Sequence, residues 1–97
     1  MNENKYGKYL PIGTIVLLKN GKKKTMITGF CTADKNKMEK FYDYNGCPYP
    51  EGIVSSNMTL LFDHNQIDKI YHLGYRDNEQ VEFMSSLKEL ISKNINK

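Results

Sequence analysis

Ninety-seven residues, 39% of them apolar and 26% charged, suffice for one domain around a single small core and are too few for two. The net charge of +3 divides unevenly: residues 1–48 carry nine lysines against four acids, +5, and residues 49–97 carry five lysines or arginines against seven acids, −2. Such a dipolar chain offers one basic and one acidic face to partners, but its small net charge argues against a dedicated nucleic-acid binder. The longest apolar run, Ile15–Leu18, has four residues, far from the ~20 of a membrane span. The N-terminus lacks the apolar core and cleavage site of a secretory signal, so a cytoplasmic location is expected. Cys31 and Cys47 are too few for a disulfide framework and are expected to stay reduced.

In chain order, residues 1–9 read as a flexible tail with Tyr6 and Tyr9 as its anchors, and 10–97 as the single domain. Pro11 holds Leu10 extended and suits a strand entry. Two β-branched runs, 13–19 and 22–31, flank Asn20-Gly21, the signal for a tight hairpin whose two central residues take positive φ. That register sets Lys19 against Lys22, Leu17 against Lys24 and Ile15 against Met26, gathering charge at the tip and apolar pairs at the base. Residues 32–39 are polar and turn-like, and Phe41, Tyr42 and Tyr44 predict a third strand over 40–45. A structured loop follows at 46–52, where two prolines and two glycines set the backbone, then a short strand near Ile53-Val54.

Further on, Met58, Leu60, Leu61 and Phe62 are apolar enough to face the core, and Asp63 is placed to cap a short turn through Gln66. Residues 67–75 alternate as a strand does, although a helix fits nearly as well. Asp77, three residues before Gln80, opens a helix with Glu79 and Glu82 near its start. Val81, Met84, Leu87, Ile91 and Ile95 form its apolar stripe, widened by Phe83 and Leu90, for packing on the sheet or on a partner. The expected fold is α+β: a small, bent antiparallel sheet, approaching an open barrel, with one C-terminal amphipathic helix.

No arrangement of residues points to catalysis. Cys31, Cys47, His64 and His72 contain no closely spaced pair that would nucleate a metal site. Ser55, Ser56 and His64 lack a nucleophile-elbow pattern, and the glycine and lysines of 20–24 lack the spacing and following helix of a phosphate loop. A non-enzymatic protein without metal or cofactor is therefore expected. Lys22, Lys23 and Lys24, joined by Lys19, Lys35, Lys37 and Lys40, could face phosphates, with Tyr42 and Tyr44 as stacking platforms. A hairpin tip of lysines more often serves solubility and edge protection, which leaves a nucleic-acid-binding small barrel as the alternative. Seven tyrosines and four phenylalanines exceed what so small a core needs. Tyr42, Tyr44, Tyr49, Pro50, Phe62, Tyr71 and Tyr75 are the candidate partner-binding residues, several of them around a proline-stiffened loop.

Three blocks carry a family resemblance: Leu10–Lys24 with Met26–Gly29; Asp43–Gly52; and Leu61–His64 with Ile67–Tyr71 and Gly74-Tyr75. In order and spacing over about residues 10–85 they resemble the family catalogued as domain of unknown function 4176. The resemblance implies a setting: small cytoplasmic proteins of Gram-positive bacteria, encoded beside LXG-type toxins exported by type VII secretion. It implies a chaperone or targeting factor that binds the toxin's helical N-terminal region, with small helical accessory proteins as further partners, and it transfers no catalytic residue. An immunity protein that grips the toxin's other end is a further alternative. Pro48, where relatives commonly have another residue before the tyrosine, would stiffen the loop.

Overall fold

The computed structural model describes residues 9–34, 37–55 and 58–95, without the side chains of 31–34, 37–40 and 91–95. The expected tail (apart from Tyr9), Lys35, and the side chains of Cys31, Lys37, Lys40, Ile91 and Ile95 lie outside the described residues. Five strands, β1 (Ile15–Leu18), β2 (Thr25–Asp34), β3 (Lys37–Pro48), β4 (Leu60–Phe62) and β5 (Ile67–His72), precede one helix, α1 (Asn78–Ile95). The strands form a single antiparallel sheet in the order β4-β3-β2-β1-β5, so the protein is α+β.

The sheet must curl. Its edge strands β4 and β5 are joined by residues 63–66 alone, whereas a flat five-stranded sheet would hold its edges roughly 19 Å apart. A single 3-10 turn, His64–Gln66, makes the crossing. Asp63 opens it as expected: the Gln66 side chain accepts the Asp63 N–H at 2.8 Å, and the Gln66 N–H returns to the Asp63 carbonyl at 3.0 Å. Residues 67–72 are strand rather than helix, consistent with their alternation.

The hairpin keeps the expected register, Ile15 opposite Met26, but not the expected turn. β1–β2 pairing ends at Val16 opposite Thr25, so neither the Leu17–Lys24 nor the Lys19–Lys22 pair forms, and Leu17 and Leu18 pair with β5 instead. The turn closes from the Gly21 N–H to the Leu18 carbonyl at 2.9 Å, and only Asn20 of the central pair has positive φ, 65°. The Lys19 N–H is spent on the Gln66 carbonyl at 2.7 Å, which holds the chain on the β5 side. Lys19 facing Lys22 would also have set like charges opposite each other.

β3 runs well beyond the expected 40–45, because β2 offers a ten-residue partner and Gly46 has no side chain to strike it. A Cβ on Gly46 would lie 2.6 Å from the Met26 carbonyl oxygen. The short strand expected at Ile53-Val54 does not form. The chain turns there instead: Gly52 has φ +78° and donates its N–H to the Pro48 carbonyl at 2.8 Å, and the Tyr49-Pro50 peptide is cis.

Val16, Ile27, Tyr44, Phe62 and Ile67 make the core, sealed by Tyr9 and Leu10, with Met84 and Leu87 of α1 packed against it. Tyr9, read from sequence with the tail, is thus buried. The Asp77 carboxylate caps α1 by accepting the Gln80 N–H at 2.9 Å.

One junction ties the start of the chain to the start of the helix. Residues 11–14 form a tight turn in which the Thr14 hydroxyl donates to the Pro11 carbonyl at 2.7 Å and accepts the Gly74 N–H at 3.0 Å. Gly13, at φ +88°, donates to the Ile27 carbonyl at 2.8 Å. Gly74 passes so close that a Cβ would sit 2.1 Å from the Ile12 carbonyl oxygen. Gly74→Ala is therefore expected to destabilise by about 3 kcal/mol or more, lowering the melting midpoint by roughly 10–20 °C. Gly52→Ala, strained in φ but meeting nothing within 4 Å, should cost only about 1–2 kcal/mol. Thermal melts of the two variants by circular dichroism check the contrast.

Candidate binding groove

Two of the candidate binding residues are structural. Tyr44 and Phe62 are fully buried, and their rings lie 5.4 Å apart within a cluster that includes Tyr9 and Phe30. The Tyr44 hydroxyl accepts the Leu10 N–H at 3.0 Å and shares a hydrogen bond with His64 Nδ1 at 2.7 Å. Beside it, the two carboxylates of Asp43 and Asp63 stitch β3 to the crossing turn. Asp43 accepts the His64 backbone N–H at 2.8 Å, and Asp63 accepts the Asp43 N–H at 3.1 Å. These bonds absorb the acids and the histidine into the scaffold.

The remaining candidates divide between surfaces. Tyr42 is partly buried on β3. Tyr49 and Pro50 are exposed on the loop after β3, next to Ile53 and Val54, whose side chains project into solvent. Tyr71 is exposed on β5, with the Lys24 ammonium 4.8 Å and the Lys69 ammonium 5.6 Å from its ring centroid. Lys22 is exposed at the tip, and Lys23 pairs with Glu51 at 2.7 Å across two half-exposed side chains. The hydrogen bond from Lys23 holds the Glu51 carboxyl below its ordinary pKa. Of the three hairpin lysines, two are thus engaged by neighbours within the chain.

Tyr75, 79% exposed, belongs to a different feature. It stands at a groove of about 700 Å³ between α1 and β2, whose apolar walls are Ile12, Phe30, Tyr75, Phe83, Met84 and Leu87. The Phe83 and Phe30 rings meet at 6.0 Å across its floor. Its polar lining comes from Thr28, Asp77, Glu79 and Gln80. Ile12 and Phe83 remain about half exposed, at 55% and 49%. The Gly74 junction positions two of these walls, since Ile12 and Tyr75 flank the contact. Sequence reading placed Tyr75 at a binding surface but missed Ile12 and the acidic rim. The signal for Phe83 was present as an apolar stripe wider than one packing face requires.

Among the described residues no three His, Cys, Asp or Glu side chains gather where they could hold a metal ion. No described helix is long and apolar enough to cross a membrane.

A curled five-stranded antiparallel sheet with one helix docked across it defines a small α+β domain. Residues 9–83 match the family model described as domain of unknown function (DUF4176), and the chain belongs to that family. No curated protein and no solved structure is significantly similar to it.

Two outcomes follow from these contacts. Tyr44→Phe removes the hydroxyl that joins Leu10 to His64 and is expected to cost about 1–3 kcal/mol, read as a lower denaturant midpoint with an unchanged slope. Lys23→Met should let the Glu51 pKa rise towards its ordinary value, followed by carboxyl carbon NMR. A depressed carboxylate pKa adds stability above the unfolded value and loses it as pH falls through the folded value. At this exposed pair the melting midpoint should not move measurably at any pH.

Proposed function

We propose that this protein is a non-enzymatic binding protein, a cytoplasmic chaperone or targeting factor for an LXG-type toxin exported by type VII secretion, which it grips by the toxin's helical N-terminal region. The observation that carries the reading is the open groove along α1, where Phe83, Tyr75 and Ile12 stay exposed although a covered core lies beside them. Apolar surface of this kind marks interaction sites in small proteins. The setting that the family resemblance implies supplies the client, and a helical client suits a groove walled by a helix. Burial of the groove's aromatics would provide affinity, while the uneven charge orients the complex. Client apolar surface stays covered until handover to the export machinery.

The tagged full-length protein should capture the N-terminal fragment of the neighbouring toxin in a salt-tolerant manner. Capture of the C-terminal fragment alone would replace this reading with an immunity role. Salt-sensitive recovery of nucleic acid with neither fragment would move function to the lysines of the hairpin tip.

A further inference from the structure

The groove is apolar at its floor and acidic at one end. Asp77 and Glu79 line it, and no lysine or arginine is among the described residues that do. Over residues 76–90 four carboxylates, Asp77, Glu79, Glu82 and Glu89, stand against Arg76 and Lys88. An occupant that brings positive charge to that end of an apolar surface would complement both the carboxylates and the floor. Phe83, Leu87 and Leu90 continue the apolar wall along α1 at helical spacing, and Leu90 is exposed beyond the groove. That ridge extends over about 10 Å of helix, the surface against which another helix packs.

We infer that the groove takes an amphipathic helix of another protein, one that carries lysine or arginine beside its apolar stripe. This rests on the reading of the protein as a binder of helical clients and adds the chemistry of what the groove selects. A second copy of this chain fits poorly, because its own helix is acidic over the same stretch and would repel its twin.

Fluorescence anisotropy of a labelled synthetic helical peptide, with leucines along one face and lysines flanking them, tests the inference against full-length protein. A peptide of the same leucine pattern with glutamates in place of the lysines is the comparison. The lysine peptide should bind at least about tenfold tighter. Phe83→Ser and the more exposed Tyr75→Ser should each weaken it by roughly tenfold, and Glu79→Lys by several-fold with a shallower salt dependence. Lys22→Glu, which adds negative charge far along the chain at the hairpin tip, should leave affinity unchanged if attraction is local to the groove. Equal binding of the two peptides, wild-type affinity in both serine variants, or tighter binding by Lys22→Glu would overturn the assignment. So would a concentration-dependent dimer in light scattering that Tyr75→Ser abolishes. The two readings fail separately. Toxin fragment captured equally by wild type and both serine variants would remove the groove alone. Lysine-peptide binding without capture of any toxin fragment would remove the toxin alone.

Discussion

The backbone of Gly74 lies against the carbonyl of Ile12 at a distance that no side chain could share. Around that contact the Thr14 hydroxyl closes a tight turn and takes the Gly74 N–H, while Gly13 and Thr14 exchange hydrogen bonds with Ile27 on β2. Three distant stretches of chain are fixed by one junction: the entry to β1, the start of β2 and the segment leading from β5 to α1. The junction sets two of the groove's walls. Ile12 and Tyr75 stand at the groove's rim because their neighbours Gly13 and Gly74 are locked into the backbone below.

A second constraint closes the other end. Joining β4 to β5 across a four-residue connection forces the sheet to curl, and the curl encloses Tyr44. A buried tyrosine is costly unless its hydroxyl is satisfied. Here Leu10 and His64 satisfy it, which fixes the chain entry and the crossing turn to one ring. Tyr44 and Phe62 therefore sustain the fold from inside, and exposed binding surface falls to Ile12 and Tyr75 beside the junction and to Phe83 on α1.

Local chemistry was legible wherever a residue's neighbours in sequence decide its conformation. The positive φ of Asn20, the Asp63 and Asp77 caps and the stripe of α1 each follow from short-range rules, and the Ile15–Met26 register holds even though the two-residue turn expected to set it does not form. What sequence could not reveal depends on contacts between distant segments. Gly21 lost its expected left-handed conformation because Lys19 bonds to Gln66 across the sheet. β3 lengthened because β2 was long enough to pair with it. The aromatic count alone points to a surplus for binding, yet a curled sheet of this size buries Tyr9, Tyr44 and Phe62. Periodicity identifies an apolar face on a helix but not which part of that face the sheet fails to reach.

The separation of charge acquires a meaning once the fold is placed on it. The positive half of the chain supplies the hairpin, where Lys23 is balanced by Glu51 and Lys24 lies over Tyr71. The negative half supplies α1, whose first turn carries Glu79 where it complements the helix dipole. That acid would be accounted for by helix stability alone if the surface beside it were polar. Beside it instead are Phe83 and Tyr75, exposed. A carboxylate next to bare aromatic surface does two things at once: it starts the helix, and it biases which partners can cover that surface. On the inference drawn from the groove, a lysine-rich helix would be favoured there and an acidic one, the helix of a second copy included, disfavoured.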